Sequence, residues 1–436
     1  MKPRSARIWA IGFALFALCA SSARSSPARE RQPSRAVGTL HHEAYVWQRA
    51  WTTPVRDAVE DHARQFSGLT VLNAEVSWND RQPQVIRVPL DYSTLTNAGC
   101  PVGLALRIGA YAGPFSTNDR TADYLAELAV SLIAEAKANC LAVRELQIDF
   151  DCAESRLDGY RAWVEAMRRR AAPVPVTITA LPSWLEQASF RRLVAAADGY
   201  VLQVHSLERP RRIDSPLILC DRSAARRAVE RAGQLQIPFR VALPTYGYVI
   251  AFDVGGGFVG LSAEGPGKNW PAGVRIRESR ANPIEMARLV QTWITNRPAA
   301  LRGVLWYRLP IATDVLNWRW PTLAAIMAGR TPRESVRAEP RRVEPGLIEI
   351  SLVNDGELDI SSRLAVEVRW SRESGARLMA GDGLGGFELL DGGPSSMKFQ
   401  TKMPLWRLPA GEQQVIGWLR LSEDREVQVE INKQQP

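Results

Sequence analysis

The sequence predicts a (β/α)8 TIM barrel followed by a C-terminal β-sandwich, an α/β architecture with an added all-β domain. Apolar segments with strand-like alternation take turns with segments of helical periodicity over residues 41–330. Short alternating segments separated by Gly and Asp clusters replace that rhythm over residues 331–436. A doubly wound open sheet is the alternative for the first part. The barrel is favoured because no Gly-rich phosphate loop follows the first strand.

The segment before the barrel has the composition of an export signal. A basic start precedes an apolar run from Ile8 to Ala20 and a short stretch of small residues, which predicts a secretory signal peptide over residues 1–23. Residues 24–40 are rich in Arg, Ser and Pro and are interpreted as a flexible linker. Cys19 allows a lipid anchor as an alternative, but Leu18 stands where a lipobox needs a small residue. We expect a periplasmic or secreted protein.

Composition narrows the classes of function. Hydrophobic residues make up 46% of the chain and charged residues 23%, which is typical of a folded globular protein, and the formal net charge is +9. A positive surface fits an anionic cell-surface environment. No basic run is interleaved with aromatic residues, so we expect no nucleic-acid partner. We also expect no membrane span after the signal, no metal site and no cofactor.

The predicted barrel strands are apolar segments bounded by turn residues or helices. They are Glu43–Trp51, Leu69–Val76, Val102–Tyr111, a strand within Val143–Glu154, Pro175–Leu181, Gly199–Val204, Phe239–Pro244 and Gly303–Tyr307. Apolar residues at helical spacing predict the helices between them. These helices are Pro54–Phe66, Asp119–Ala138, one after Ser155, one after Ser183, Ser223–Leu235 and Pro283–Thr295.

Two further features belong to the outer parts of the fold. The run Gly255 to Gly257, flanked by aromatic residues, is interpreted as a hairpin over the barrel mouth. Alternating segments predict the sandwich strands. These strands are Leu347–Val353, Leu364–Trp370, Met397–Phe399, Gln414–Leu421 and Val427–Ile431. Domains of this kind support a barrel or bind a surface, and the sequence leaves both open.

The fourth strand carries the most informative pattern. Alternation places Gln147, Asp149 and Asp151 on one face of an otherwise apolar segment. Two carboxylates in such a strand are costly unless they are hydrogen-bonded or used chemically, because burial and like charge both raise a carboxyl pKa. We expect a catalytic pair, Asp149 and Asp151. A pair of aspartates that only caps a helix or braces a loop is the alternative.

Function in a barrel gathers at the carboxyl ends of the strands, where polar and aromatic residues can be read from the pattern. Besides Asp149 and Asp151, they are Glu75, Trp78, Tyr111, Trp184, Gln203, His205, Tyr246, Trp306 and Tyr307. Carboxylates ringed by aromatic side chains suit a polysaccharide or glycoconjugate, because sugar rings stack on aromatics while acids act on the glycosidic bond. Each tryptophan can instead be a packing residue, and His205 a satisfied buried histidine.

Three motifs carry a resemblance to the chitinase-like glycoside hydrolases of family eighteen. Ile148 to Asp151 is similar to their Asp-x-Asp-x-Glu signature, Leu243 to Gly247 to their seventh-strand Pro-x-Tyr-Gly, and Gly303 to Trp306 to the end of their eighth strand. The resemblance covers about residues 43–327 and implies a glycan-active barrel with Trp306 as the floor of its site. The whole chain more closely resembles an uncharacterised bacterial secreted family, the domain of unknown function 3142.

One position departs from that signature. Where the chitinase-like family has its proton-donating Glu, this chain has Ala153, and Glu154 is shifted by one residue. A shift of one residue turns a strand side chain to the other face, although a bend could restore it. Asp151 could then serve as the general acid, if burial beside Asp149 raises its pKa. The alternative is a non-catalytic protein that binds glycans or takes part in cell-envelope assembly.

The four cysteines after the signal allow disulfides in an exported protein. Cys100 precedes the third strand and Cys140 precedes the fourth, so barrel topology places both at the amino-terminal end, and we expect them to form a disulfide. Cys152 and Cys220 both belong at the opposite end and are a second candidate pair, with one strand between them.

Overall fold

The computed structural model describes residues 34–79, 82–115, 120–206, 209–263, 270–361, 363–371, 375–403 and 406–433. The predicted signal peptide, with Cys19, and residues 24–33 of the predicted linker lie outside the described residues. The last part of that linker differs from the expectation of a flexible segment. Arg35–Ala36 pairs with Arg297–Pro298 as a short antiparallel bridge, because Arg35 reaches Oδ1 of Asn296 at 2.6 Å.

Eight parallel strands form the barrel and are labelled β1 to β8. They are β1 His41–Val46, β2 Leu69–Asn79, β3 Val102–Ile108, β4 Val143–Phe150, β5 Val176–Ala180, β6 Gly199–Gln203, β7 Phe239–Pro244 and β8 Leu301–Tyr307. Each strand pairs with the next, and β8 pairs with β1, so the sheet closes on itself. The predicted TIM barrel is confirmed. The first strand ends five residues earlier than expected, at Val46 in place of Trp51.

One helix follows each barrel strand. They are α1 Thr53–His62, α2 Tyr92–Thr96, α3 Arg120–Ala138, α4 Leu157–Ala171, α5 Ala188–Ala196, α6 Arg222–Gln234, α7 Pro283–Thr295 and α8 Trp320–Met327. Local sequence explains where the later helices begin. Asp221 accepts a hydrogen bond from the Ala224 amide at 2.6 Å, and Asn282 caps α7 just before a proline at its first position.

Two additions extend the barrel. Gln82–Arg87 pairs antiparallel with the end of β2. After β7 a separate antiparallel sheet is formed by Gly247–Phe252, Phe258–Ala263 and Arg275–Arg280. The predicted glycine run forms the turn of its first hairpin, and Gly256 adopts a φ of 81°, which favours glycine over residues with a Cβ. The hairpin is therefore confirmed as a local structure.

The C-terminal region is a sandwich of two four-stranded antiparallel sheets. The first sheet contains Arg337–Glu344, Leu347–Val353, Gln413–Leu421 and Leu378–Gly383, and the second contains Phe387–Gly393, Ser396–Thr401, Leu364–Arg369 and Gln428–Lys433. Its buried apolar side chains form a core of their own. The predicted sandwich is confirmed. Sequence alternation missed three of its strands, which are rich in charged residues or glycine.

Ion pairs join the C-terminal region to the antiparallel sheet that follows β7. Arg280 contacts Asp359 at 2.9 Å, and Arg407 contacts Glu278 at 2.8 Å. All four side chains are less than one fifth exposed. The sandwich is therefore attached to the sheet that follows β7.

The predicted disulfides do not form. Cys100, Cys140, Cys152 and Cys220, all within the part of the chain that the structure describes, are free thiols. Cys100 packs partly buried against the barrel core, whereas Cys140 lies exposed in the turn after α3 with a φ of 61°. The topological argument placed both at one end of the barrel but could not determine the direction of each side chain. Burial raises the pKa of the Cys100 thiol to about 11.

No helix in the described ranges is long and apolar enough to cross a membrane.

Candidate active site at the carboxyl ends of the barrel strands

Asp149 lies on the inner face of β4, one residue before the strand ends. Gln147, two residues earlier on the same face, donates a hydrogen bond to the hydroxyl of Tyr45 on β1, across the barrel interior. Asp149 accepts a hydrogen bond from the hydroxyl of Thr179 on β5, with 2.9 Å between Oγ1 and Oδ1. The inward direction predicted for Gln147 and Asp149 is therefore present in the structure.

The Asp149 carboxyl holds its proton more strongly than an ordinary aspartate. Burial, and after it the neighbouring charge of Asp151, raise its pKa from 3.8 to about 6, although Arg107 and the Thr179 hydrogen bond act in the opposite direction. Asp151 lies beyond the last residue of β4 and is exposed. Burial thus acts on Asp149, whereas Asp151, where the sequence predicted burial, is exposed.

Glu75 shares a row with Asp149 across three neighbouring strands. Strand register places Glu75 beside Arg107, and Arg107 beside Asp149. Arg49 binds the Glu75 carboxylate through both oxygens, at 2.6 and 3.0 Å, and Arg107 lies 4.0 Å from it. The charge of Glu75 is therefore balanced by two arginines, one of which, Arg107, also lies beside Asp149.

Aromatic rings surround the inner face above Asp149. The ring of Tyr307 lies 5.2 Å from that of Tyr246, 5.7 Å from that of His205 and 5.5 Å from that of Trp47, measured between centroids. The Tyr246 hydroxyl lies 3.4 Å from Nδ1 of His205 and 3.2 Å from the Tyr248 hydroxyl. The structure thus brings the predicted residues Asp149, Gln203, His205, Tyr246 and Tyr307 together.

A narrow cavity of about 20 Å³ separates these side chains. A cavity of this size holds one water molecule if it offers polar partners. Its lining includes Tyr45, Trp47, Asp149, Thr179, Gln203, His205, Ala242 and Tyr307. A sugar ring does not fit inside it.

Two buried nitrogens of the cavity lining lack a hydrogen-bond partner among the described residues. They are Nε2 of His205 and Nε1 of Trp47. Burial lowers the pKa of His205 to about 3, so its imidazole is neutral at physiological pH. A buried polar group without a partner is costly, so both nitrogens are available to a water molecule or a ligand group.

Trp306 does not belong to this inner face. It is fully buried, and its Nε1 donates a hydrogen bond to Nδ1 of His42 at 3.2 Å. The centroid of the Trp318 ring lies 6.0 Å away. Its neighbour Tyr307 points into the barrel, so Trp306 must point outward. The predicted substrate floor is therefore a packing residue.

Trp78 and Tyr111 also lie in a packed aromatic cluster. Their ring centroids are 4.7 Å apart, and both rings contact Trp163 of α4, at 6.3 and 4.9 Å. Phe150, which alternates with the inward Asp149, contacts the same tryptophan at 5.7 Å. The cluster therefore lies on the outer face of β4. Trp184 is buried as well, against Phe190.

Ala153 and Glu154 follow the end of β4, so strand alternation no longer governs them. Glu154 begins a short 3-10 turn, is exposed, and accepts a hydrogen bond from Nε2 of Gln187 at 3.2 Å. The structure gives Glu154 a partner outside the aspartate pair. The folded chain therefore does not bring Glu154 to the place of the Glu that Ala153 replaces.

Three residues of the site were missed in the sequence. Tyr45 near the end of β1 and Trp47 just after it both line the cavity. Thr179 of β5 donates a hydrogen bond to Asp149. The alternation Thr177, Ile178, Thr179 in a short apolar strand was a usable signal, because it places two hydroxyls on one face. Within the described ranges, no group of three or more His, Cys, Asp or Glu side chains could hold a metal ion.

The amino-terminal end of the same barrel contains a different set of charges. Arg240 of β7 donates hydrogen bonds to Glu145 of β4 at 2.7 and 2.8 Å, and also to Glu43 of β1. Arg144 reaches the other oxygen of Glu43 at 2.8 Å. Burial alone would lower the pKa of Arg240, but the two glutamates raise it above its ordinary value. A Cβ at Gly103 would lie 2.9 Å from Glu145 Cγ, so glycine makes room for this network.

Comparison with known proteins gives one family and several structures. Residues 111–312 match the family described as "Domain of unknown function (DUF3142)", which confirms the predicted resemblance. None of the curated proteins matches this sequence. Similar solved structures include the spore cortex-lytic enzyme SleL of Bacillus megaterium QM B1551, at 14% identity, with 68% of this chain and 75% of that chain covered and a TM-score of 0.48.

Two chitinases are also similar in structure. ChiA74 from Bacillus thuringiensis has 8% identity, with 90% of this chain and 100% of that chain covered and a TM-score of 0.45. A chitinase from Chromobacterium violaceum ATCC 12472 has 14% identity, with 67% of this chain and 98% of that chain covered and a TM-score of 0.44. These low identities and scores transfer no chemistry to this chain. The barrel is established by its own strand pairing.

Proposed function

We propose that this protein, a barrel that carries the DUF3142 match, acts on a polysaccharide or glycoconjugate as a glycoside-hydrolase-like enzyme. The observation that carries the proposal is the raised pKa of Asp149, about 6, next to an exposed Asp151 at the barrel mouth. Enzymes that cleave glycosidic bonds need one carboxyl group that holds a proton near neutral pH and one that is ionised. Asp149 offers the first of these groups, and an exposed second carboxyl group lies two residues away.

The proposed reaction uses the pair as one proton-carrying unit. The proton held by the pair moves to the glycosidic oxygen while the bond from that oxygen to the anomeric carbon breaks. A water molecule adds its oxygen to the anomeric carbon and returns a proton to the pair. Asp151 is the member that meets the glycan, because it is exposed, whereas Asp149 is half-buried and lines a cavity with room for one water. The Asp149 proton therefore reaches the glycosidic oxygen through Asp151.

The aromatic and polar residues around the pair would position the glycan. Tyr307, which is partly exposed and packs against the buried Trp47, presents ring surface that suits the face of a sugar ring. The neutral His205 and Gln203 offer polar atoms that can bond sugar hydroxyls, directly or through water. Glu75 holds Arg49 at the edge of the same row.

The test is a panel of bacterial and plant glycans, scored both for binding and for the release of reducing ends. We expect Asp151→Asn to abolish release while glycan affinity and folding stay close to the wild type. Asp158→Asn is the matched control, because Asp158 is an exposed aspartate in the first turn of α4 that bonds Arg192 and does not line the cavity at Asp149. Unchanged turnover in Asp151→Asn would contradict the role of the pair.

A second candidate function follows from Ala153. Without a carboxylate at that position, and with Glu154 bonded to Gln187, the barrel could bind glycans or assist envelope assembly without cleaving them. Wild-type binding without reducing-end release, over the whole panel and from pH 4 to 8, would favour this function over hydrolysis.

We also propose that the mature protein is periplasmic or secreted and begins after the predicted signal, near residue 24. Amino-terminal sequencing of the protein recovered from cell fractions tests this. A mature protein that begins at a lipid-modified Cys19 would support the anchored alternative.

A further inference from the structure

The first sheet of the C-terminal sandwich has an outer face with one tryptophan at its centre. Ile348, Ile350 and Leu419 point into the sandwich core, so Glu349 and Trp418 point to the outer face. Strand register places Glu349 directly opposite Trp418, and Asp382 opposite it on the other side. Trp418 is partly exposed there, on a central strand of the sheet.

Val343 and Leu347 lie beside Trp418 and form an apolar strip with it. Val343, which is 47% exposed, and Leu347 line a shallow cavity of about 400 Å³ together with Trp418. Glu349 and Arg420 complete its lining. The cavity therefore combines an indole surface, two aliphatic side chains, one carboxylate and one guanidinium.

Cross-strand ion pairs hold the polar groups beside the ring. Arg341 contacts Glu349 at 2.7 Å, and Arg420 contacts Glu344. Both pairs are at least partly exposed, so their carboxylates and guanidinium groups are accessible to a ligand beside the ring. The charges of the two pairs cancel, which disfavours a polyanion such as a nucleic acid and fits an uncharged ligand.

We infer that this face is a glycan-binding surface, separate from the barrel mouth. A sugar ring presents an apolar face of C–H groups that stacks on an indole, and hydroxyl groups at its edge that bond a carboxylate and a guanidinium. A stable protein partner buries about 800 Å² on each side, far more than three apolar side chains provide. A single polysaccharide chain along the strip Val343, Leu347 and Trp418 fits the patch.

The inference shares with the proposed function the class of ligand, but it depends on none of the barrel residues. It assigns the sandwich the task of holding the protein on an insoluble polysaccharide while the barrel mouth acts on a chain end or a loose strand. The sequence left two tasks open for this domain, and the outer face of its first sheet favours surface binding.

The test is co-sedimentation of the full-length chain with insoluble chitin, cellulose and bacterial peptidoglycan. We expect the wild type to sediment with at least one of the three. Trp418→Ala should weaken that binding by about tenfold or more, as removal of a central aromatic anchor does, whereas Trp418→Phe should keep most of it. Leu390→Ala is the matched control, because Leu390 is 36% exposed on a strand of the second sheet.

The outcomes are separable from those of the proposed function. Sedimentation that depends on Trp418, without release of reducing ends, would support this surface and count against hydrolysis. Equal sedimentation of wild type and Trp418→Ala, or no sedimentation with any of the three polysaccharides, would overturn the inference. So would a wild-type dimer in light scattering that Trp418→Ala converts to a monomer, because the occupant of the face would then be a second copy of the chain.

Discussion

The two ends of the barrel both contain carboxylates in the interior, but Glu43 and Glu145 at the amino-terminal end bond arginines directly, whereas Asp149 at the carboxyl end bonds a threonine hydroxyl. At the amino-terminal end, Glu43 and Glu145 share Arg240, and Arg144 adds a further bond. At the carboxyl end, Asp149 faces Asp151, and a threonine is its hydrogen-bond donor. Charges that cancel serve the fold, whereas a like-charge pair raises a pKa and has use in chemistry. The difference separates the acids that stabilise the fold from the acids that we propose for catalysis.

Removing the cation from the amino-terminal network is expected to have the largest effect. Arg240→Ala leaves Glu43 and Glu145 buried without their shared partner, and the free energy of unfolding should fall by about 3 to 5 kcal/mol. Urea denaturation at pH 7 measures it. The control is Arg231→Ala, whose ion pair with Glu186 is exposed and should contribute about 1 kcal/mol or less. Equal losses in both variants would mean that burial does not distinguish the two pairs.

The two faces of β8 provide the next comparison. Trp306→Ala removes a fully buried ring on the outer face and should cost about 3 to 5 kcal/mol of stability without changing glycan affinity. Tyr307→Ala, on the inner face, should instead weaken glycan binding by about 1 to 3 kcal/mol. Calorimetric titration and thermal unfolding of both variants separate the effects. A large loss of affinity in a folded Trp306→Ala protein would return this tryptophan to the site.

Asp149 and His205 are expected to give opposite dependences of stability on pH. The folded state holds the Asp149 proton up to about pH 6, against 3.8 for an ordinary aspartate, so wild-type stability falls as pH rises through this window. His205 keeps its proton in the unfolded state up to about 6.5 but loses it near 3 when folded, so stability falls as pH decreases through that window.

Each single variant should therefore gain stability relative to the wild type, but Asp149→Asn gains as pH rises and His205→Gln gains as pH falls. Asp149→Asn should gain about 1 to 3 kcal/mol of stability relative to the wild type between pH 4 and pH 7. His205→Gln should gain relative to the wild type as pH decreases from 7 to 4. Unfolding free energies at half-unit steps of pH measure both differences. Parallel curves for all three proteins would show that neither group is perturbed by burial.

The barrel could be predicted from the sequence because the periodicities of strands and helices are local and alternate without long interruptions. The inward direction of Asp149 could be predicted for the same reason. The sequence did not decide between Trp306 and Tyr307, although adjacent strand residues face opposite sides, because which side is inside depends on how β8 pairs with β1 and β7.

Other features depend on contacts between distant segments. The packing of Trp78 against Trp163 and the bond of Thr179 to Asp149 join elements that are far apart in the chain. The burial predicted for Asp151 is absent because β4 ends one residue before it, and strand ends are poorly defined by alternation. The cysteine pairing failed because topology gives the end of the barrel but not the direction of each thiol.

The most direct measurement of the central claim is a titration of the Asp149 carboxyl carbon by NMR, assigned with Asp149→Asn. We expect a midpoint near pH 6 in the wild type, and a lower midpoint in Asp151→Asn, because removal of the neighbouring charge favours ionisation of Asp149. A wild-type midpoint near 4, unmoved in Asp151→Asn, would contradict the claim that the carboxyl end of this barrel holds a coupled acid pair.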